Sequence, residues 1–318
     1  ELMEQILNKK KNKSVKSSTN VVKKKTSSKK VDSKKKVENI SSDELYEMIK
    51  AKKKKKSTTT KKDTIKEKNI EVLAPLFEKA VAEGADLICL PEMFNCPYET
   101  PNFPIYADKD GGETWTKLSN LAKQFHVYLS AGSIPEVDEE GKVYNTAYVF
   151  DREGNQIAKH RKVHLFDIDV KGGQCFKESD TLTAGNSVTV FDTEFGKMGL
   201  CICFDCRFVE IARQMSIRGA QVILVPAAFN MTTGPAHWEI MHRGRAVDNQ
   251  VFMIGTSPAR DLSASYHAWG NSMVVNPWGT VLSHMDEKEG MAITTIDLAE
   301  VASIREQLPI MKTRRDDM

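Results

Sequence analysis

The chain has 318 residues, 40% of them hydrophobic, and six cysteines, too few at this length for a disulfide-stapled secreted scaffold. Its formal net charge of +3 says little about partners, because residues 1–70 hold 23 Lys against 9 Asp and Glu and the remainder is acidic. No secretion signal and no run of about 18 apolar residues is recognisable, so we expect a cytoplasmic protein without a membrane span.

Residues 1–65 form a lysine-rich extension of low complexity. Charge repulsion and the lack of apolar surface predict disorder, apart from a short helix indicated by the capping-box pair Ser41 and Glu44. Such a segment could contact nucleic acid, an anionic membrane or acidic proteins. Its one aromatic residue, Tyr46, offers little for stacking on bases, and a solvated extension without a specific partner is the favoured alternative.

Residues 66–318 alternate helical and strand-like patterns and are predicted to form the globular domain. Apolar residues at helical spacing that end on Gly84 predict its first helix. Interleaved helices and mostly apolar strands indicate a layered α/β protein, with helices covering the faces of the sheet. Helices are predicted at residues 70–84, 114–125, 208–218, 235–249 and 298–307, and strands at 86–90, 127–134, 145–151, 188–192, 197–203, 222–229, 251–256, 272–276 and 292–296.

Cys203 is the candidate nucleophile. It stands where the apolar run 197–203 ends, a few residues before a helical pattern begins at Phe208. A side chain at such a strand-to-helix turn projects from the edge of the sheet, and the nearby helix N-terminus is expected to favour the thiolate. Read alone, a buried cysteine is more often an inert small hydrophobe. The prediction therefore depends on the groups that accompany it.

Attack by cysteine on a carbon–nitrogen bond needs a proton acceptor, donors for the oxyanion and a dry pocket. Glu92 follows Pro91 just past a predicted strand end, where α/β sheets place functional groups. Lys162 would favour both the thiolate and the oxyanion, and the backbone N–H of Phe204 could be a second donor. Taken singly, Glu92 could be a helix cap and Lys162 a solvated lysine, so the prediction rests on their combination.

Other chemistries remain open at this level. The spacing of Cys201, Cys203 and Cys206 also resembles a metal or redox site, but no second such pair follows at zinc-site distance. A histidine could serve Cys203 as base in a papain-like dyad, although no local signature marks one among His160, His164, His237, His242 and His267. Neither GxGxxG after a strand nor GxxxxGK[ST] occurs, so nucleotide binding is not predicted.

The combined motifs resemble a known family. Three segments, residues 90–92, 161–166 and 203–208, are similar to the signature segments of the carbon–nitrogen hydrolase (nitrilase) superfamily, and the resemblance extends over residues 66–318. Three further segments resemble its omega-amidase branch: residues 229–239, 243–250 and 257–261.

The resemblance implies an αββα sandwich, a homodimer, no metal or organic cofactor, and hydrolysis of ω-amides of dicarboxylic acids with release of ammonia. It implies that Glu92 is the general base and acid, Lys162 the oxyanion stabiliser and Cys203 the nucleophile that forms a thioester. Glu178 matches a second glutamate that supports the lysine. The remaining matches, for the substrate's carboxylate and keto end, are Tyr98, Arg207, Thr232 and Thr233.

Two departures from the family pattern leave alternatives open. The first strand is absent or unrecognisable, since residues 54–63 there are mostly Lys, Ser and Thr. Cys201 and Cys206 replace non-thiol residues, and Cys206 could oxidise with Cys203. The alternatives are another amidase or carbamoylase of the superfamily, a catalytically impaired nitrilase-fold binding protein, and an ordinary enzyme that its lysine-rich extension targets to anionic surfaces.

Overall fold

The computed structural model describes residues 61–315 and residue 317. The helices are α1 (Lys61–Glu71), α2 (Leu73–Ala82), α3 (Asn102–Tyr106), α4 (Glu113–Phe125), α5 (Val209–Ile217), α6 (Gly234–Asn249), α7 (Ala299–Gln307) and α8 (Ile310–Thr313). Two 3₁₀ turns span Glu178–Asp180 and Cys203–Arg207. No helix in this range is both long and apolar enough to cross a membrane.

Twelve strands in the same range form two sheets and a hairpin. They are β1 (Leu87–Cys89), β2 (Tyr128–Val137), β3 (Val143–Phe150), β4 (Gln156–Arg161), β5 (Asp167–Asp169), β6 (Cys175–Lys177), β7 (Thr189–Thr193), β8 (Gly196–Leu200), β9 (Val222–Pro226), β10 (Phe252–Thr256), β11 (Met273–Val275) and β12 (Val281–His284). One sheet has the order β1-β2-β3-β4 and the other β12-β11-β10-β9-β8-β7, while β5 pairs with β6. The pairs β1–β2, β8–β9 and β9–β10 are parallel.

Strand β3 shows how the layers are arranged. Successive side chains of a strand point to opposite faces. Ala147 and Val149 accordingly belong to the core shared with β7–β10, whereas Tyr148 and Phe150 belong to the core shared with α2 and α4. The larger core continues into α5, α6 and α7 on the far side of the six-stranded sheet. The order of layers is therefore helix, sheet, sheet, helix, as expected from the sequence.

Most predicted elements lie close to their expected positions, but β4 was not predicted, the strand predicted at 222–229 ends at Pro226, and three further predictions need correction. The helix predicted at residues 70–84 is divided, because Pro75 in the first turn of α2 has no N–H to donate to Glu71 and α1 ends there. Residues 292–296 form no strand: Ile293 is exposed, and the edge strand lies earlier, at Val281–His284. The strand predicted at 197–203 ends at Leu200, because the turn that carries Cys203 begins soon after.

The proposed loss of a first strand falls mainly on residues 54–60, which lie outside the described residues, whereas 61–63 begin α1. Strand β1 pairs with β2 alone among the described strands. All three of its residues are only half-buried, in contrast to the wholly buried β3. Within the described part, the outer edge of β1 is therefore open.

Candidate active site

Three strand ends bring the predicted triad together. Glu92 follows β1, Lys162 follows β4 and Cys203 follows β8. The three side chains are almost inaccessible to solvent, with exposures of 2%, 0% and 4%. A fully buried lysine is uncommon unless it is paired, and the position of these three groups at strand ends is where α/β folds assemble reactive sites.

Lys162 is paired with two carboxylates. Its Nζ lies 2.9 Å from Oε1 of Glu92 and 3.0 Å from Oε1 of Glu178. Burial alone would lower the pKa of Lys162, but the carboxylates of Glu178 and Glu92 raise it well above its ordinary value. The lysine is therefore a fixed cation whose position is set from two sides.

Glu178 is held by neighbours other than the lysine. The Tyr98 hydroxyl donates a 2.9 Å hydrogen bond to Oε1 of Glu178, and the backbone N–H of Phe166 donates one of 2.7 Å to Oε2. Burial raises the pKa of Glu178, against the opposing effect of Lys162. Because the Glu178 carboxylate is fixed by three donors, it can hold Lys162 in place without needing to move.

Cys203 occupies a strained backbone position. Its φ angle is +46°, in the left-handed region that non-glycine residues seldom adopt. Such strain persists only where the surroundings over-determine the conformation, and it is common at reactive sites. The turn Cys203–Arg207 begins at this residue and leads into α5.

The Cys203 thiol is neutral at rest. Burial raises its pKa well above the ordinary value and Glu92 raises it further, whereas Lys162 and a backbone hydrogen bond with Ala228 lower it. The sequence-based expectation that the nearby helix N-terminus favours a resting thiolate is thus wrong, because desolvation outweighs it. A reaction at this sulfur would therefore need a base to remove its proton.

An aromatic cluster lies over the two glutamates and the thiol. The ring centroid of Tyr98 is 4.5 Å from that of Tyr266 and 5.6 Å from that of Phe176. Burial, together with the nearby carboxylates of Glu178 and Glu92, raises the pKa of both tyrosines well above its usual value. Tyr266 also donates a hydrogen bond to the carbonyl of Ala228, the residue whose backbone contacts Cys203. Sequence reasoning missed Tyr266, because no local motif marks it.

Arg207 and the Thr232–Thr233 pair, predicted to bind substrate, lie beside the same turn. The Arg207 guanidinium is 4.8 Å from the centroid of the Phe229 ring, and its Nη1 is 3.1 Å from Nδ1 of His237. Its Nε is buried without a hydrogen-bond partner in the described part of the chain. The backbone N–H of His237 bonds to the Thr233 carbonyl, so His237 joins the arginine to the threonine loop.

The threonines are less available than expected. Oδ1 of Asn230 accepts hydrogen bonds from the backbone N–H groups of Thr232 and Thr233 and from the Thr233 hydroxyl. The Thr233 hydroxyl is therefore engaged within its own loop. Phe204, whose backbone N–H was predicted as an oxyanion donor, follows Cys203 directly and places its ring 5.2 Å from that of Phe166.

The neighbouring cysteines do not form a metal site. Within residues 61–315, no three His, Cys, Asp or Glu side chains are arranged to hold a metal ion. Cys201 and Cys206 are buried thiols, and burial raises the pKa of Cys206 to about 12. Both side chains are therefore protonated at neutral pH.

Comparison with known proteins agrees with this geometry. Residues 57–306 match the carbon–nitrogen hydrolase family model. Omega-amidase NIT2 of Mus musculus is 51% identical over 255 residues, and that of Homo sapiens is 49% identical; each alignment covers 80% of this chain and 92% of the relative.

Solved structures have the same fold. Nit3 of Saccharomyces cerevisiae, from branch 10 of the nitrilase superfamily, aligns with a TM-score of 0.73 at 41% identity, covering 79% of this chain and 91% of that chain. A carbon–nitrogen hydrolase from Helicobacter pylori aligns with a TM-score of 0.70 at 28% identity, covering 80% and 92%. The chain therefore belongs to the carbon–nitrogen hydrolase (nitrilase) superfamily, on its omega-amidase branch.

Proposed function

We propose that this protein hydrolyses ω-amides of dicarboxylic acids, such as α-ketoglutaramate and α-ketosuccinamate, to the acid and ammonia through a thioester on Cys203. The observation that carries the proposal is the buried array in which Lys162 lies between Glu92 and Glu178 beside a neutral cysteine. Relatives about half identical to this chain are omega-amidases, which favours this substrate class over other amides.

In the first half-reaction, Glu92 takes the Cys203 proton while the sulfur attacks the amide carbon. Oε2 of Glu92 is buried with no partner in the described part and is available to accept that proton. The ammonium of Lys162 and the backbone N–H of Phe204 stabilise the oxyanion that develops on the carbonyl oxygen. Protonated Glu92 then passes its proton to the departing nitrogen, so ammonia leaves and the thioester remains.

In the second half-reaction, Glu92 activates water in the place that ammonia has left. The water attacks the thioester carbon, and the same two donors stabilise the second oxyanion. Collapse of this intermediate breaks the carbon–sulfur bond and returns the proton to Cys203. Glu178 is paired with Lys162 and acts by holding the lysine rather than by moving a proton.

We assign recognition of the substrate's free carboxylate and keto end to Arg207, together with Thr232 and Thr233. The guanidinium rests between the rings of Phe204 and Phe229, so it is positioned by packing and keeps donors for a carboxylate. Tyr98 is assigned a further contact with the substrate, next to Glu178, to which its hydroxyl donates a hydrogen bond. A charged substrate end next to an arginine distinguishes ω-amides from simple aliphatic amides.

Ammonia release from α-ketoglutaramate by the purified protein tests the proposal. Wild type and the control Cys175→Ala, which changes an exposed thiol, should be active, and Cys203→Ala should be inactive. Acid-quenched wild type should carry the acyl group on Cys203, visible by mass spectrometry. Turnover of butyramide or a carbamoyl compound without turnover of the ω-amide would favour the other amidases. A folded protein inert to every amide would indicate an impaired member of the family.

We further propose a cytoplasmic homodimer, with residues 1–65 as an extension to a hydrolase domain at 66–318. Two apolar side chains on α6 support a dimer: Ile240 is 67% exposed and Val247 41%. Light scattering should give twice the monomer mass for wild type and a lower mass for Ile240→Glu. Deletion of residues 1–60 should leave turnover unchanged; a change of location in cells would instead assign the extension a role at anionic surfaces.

A further inference from the structure

Asp205 is a fully buried carboxylate two residues after the nucleophile, and the reaction steps above do not use it. Two histidines, His160 and His164, lie two residues before and two residues after Lys162. His160 is also fully buried. These three side chains meet between the turn that carries Cys203 and the strand end that carries Lys162.

The two oxygens of Asp205 together contact both elements: Oδ1 contacts His164, and Oδ2 contacts both Ile202 and His160. Oδ1 accepts a 2.8 Å hydrogen bond from the backbone N–H of His164 and lies 2.8 Å from its Nδ1. Oδ2 accepts a 3.0 Å bond from the backbone N–H of Ile202 and lies 3.0 Å from Nε2 of His160. Hydrogen bonds with the two histidines hold the pKa of Asp205 well below its usual range, in spite of its burial.

The contacts define which hydrogen each imidazole presents. An ionised carboxylate can only accept, so Nε2 of His160 and Nδ1 of His164 both carry hydrogen. Nδ1 of His160 is 2.9 Å from the Thr189 hydroxyl, which fixes the opposite side of that ring. The His164 ring stacks on Phe208 at a centroid distance of 3.6 Å and an angle of 10°. Neither ring can rotate without breaking one of these contacts.

We infer that Asp205 is a positioning residue that joins the Cys203 turn to the Lys162 strand end, so that the sulfur and the ammonium keep the spacing required for attack. The inference rests on the proposed function of Cys203 and Lys162. It also accounts for the strained φ angle of Cys203. The hydrogen bond between Ile202 and Asp205 fixes the chain on both sides of Cys203 and so maintains the strained backbone between them. The two reacting groups come from different sheets, β4 and β8, and need such a link.

The isosteric variant Asp205→Asn tests the link. An amide has one accepting oxygen and one donating nitrogen, so at least one of the contacts with Ile202, His160 and His164 is lost while the volume is kept. We expect kcat to fall about 100-fold, the effect that a displacement of roughly 1 Å has on a catalytic pair, with KM changed less than about threefold. The control Asp192→Asn, which alters an exposed carboxylate paired with Lys197, should keep wild-type kcat.

A second readout follows the reactivity of the Cys203 thiol instead of turnover of an ω-amide, and so separates this inference from the proposed substrate. The rate at which iodoacetamide alkylates Cys203 is followed against pH by mass spectrometry of the Cys203 peptide. In wild type the fixed Lys162 and Glu92 govern this profile; in Asp205→Asn it should move towards that of Lys162→Met. Near-ultraviolet circular dichroism and the melting temperature establish that the variant is folded.

The outcomes are distinct. Asp205→Asn that is folded, with wild-type kcat and a wild-type alkylation profile, overturns the inference. Should this variant fail to fold, His164→Asn removes one ring contact and leaves the bonds from Ile202 and His160. A fall in kcat with a shifted profile then supports positioning, whereas a fall in melting temperature alone, with kcat unchanged, shows a merely structural role and overturns it.

Discussion

Asn145 donates a 2.8 Å hydrogen bond from Nδ2 to Oε1 of Glu92, the same carboxylate oxygen that lies 2.9 Å from Nζ of Lys162. Both donors thus engage one oxygen and leave Oε2 without a partner in the described structure. The carboxylate is orientated so that its unengaged oxygen is the one that can take a proton. Asn145 lies in the middle of β3, a buried strand, and its position is fixed by the sheet.

Replacement of Asn145 by Ala should impair turnover more than folding. A hydrogen bond to a charged group contributes about 1.5–3 kcal/mol, so a fall in kcat of roughly 10- to 100-fold is expected if Glu92 loses its orientation. Steady-state kinetics on the ω-amide measure it, with Asn155→Ala as control, because Asn155 pairs with Asp151 on the surface. An unchanged kcat in a folded Asn145→Ala protein would mean that Lys162 alone orients Glu92.

Glu178→Gln should reduce kcat with little change in KM. The amide keeps the size of the side chain, but its single oxygen can accept only one of the bonds from Tyr98 and Phe166, and the second negative charge beside Lys162 is lost. We expect a fall of about 100-fold, the order found when an oxyanion-stabilising donor is removed or misplaced. The control Glu239→Gln alters an exposed carboxylate paired with Arg243. Wild-type kcat in Glu178→Gln would show that Glu92 suffices to hold the lysine.

The fold and the triad were accessible from the sequence for the same reason. The spacing of apolar residues predicts helices and strands, and reactive residue types just after a predicted strand indicate a functional site. Both signals lie within short stretches of the sequence. Glu92 and Cys203 stand at the ends of predicted strands, whereas Lys162 was identified from the segment 161–166, because β4 was not predicted. The prediction of a strand at residues 292–296 was wrong, because an alternation of apolar residues does not show whether a neighbouring strand is available for pairing.

Contacts between residues that are far apart in the chain could not be predicted from the sequence. Asn145 is one of two adjacent polar residues, with Thr146, in a mostly apolar strand, and Tyr266 belongs to a loop with no periodicity. Each reaches the site because distant segments are folded together: 53 residues separate Asn145 from Glu92, and 38 separate Tyr266 from Ala228. The resting state of Cys203 depends on burial, which the sequence around it does not reveal.

Arg207→Met should separate binding of the substrate's charged end from chemistry. Methionine keeps much of the packing against Phe229 and removes the charge. KM for α-ketoglutaramate should rise at least about tenfold, as expected for the loss of a charge-assisted hydrogen bond. Turnover of an uncharged amide such as butyramide should change little. Equal losses on both substrates would show that Arg207 supports the turn rather than recognises a carboxylate.

His242 predicts how stability depends on pH. It is fully buried in α6, where its Nδ1 donates to the carbonyl of Trp238 and its Nε2 has no hydrogen-bond partner in the described range. Burial lowers its pKa from 6.5 to about 4. The unfolded chain therefore binds the proton more readily than the native state does, so stability is complete above pH 6.5 and is lost as the pH falls towards 4.

The loss assigned to His242 is about 2 kcal/mol between pH 7 and pH 5, since each unit of pKa difference corresponds to roughly 1.4 kcal/mol once the unfolded state is protonated. Urea unfolding at the two pH values measures it. His242→Gln cannot titrate and should lose about 2 kcal/mol less than wild type over this interval, whatever its stability at pH 7. His284→Gln changes an exposed histidine at the end of β12 and should behave as wild type. If His242→Gln keeps the wild-type difference between pH 7 and pH 5, another group is responsible for acid lability.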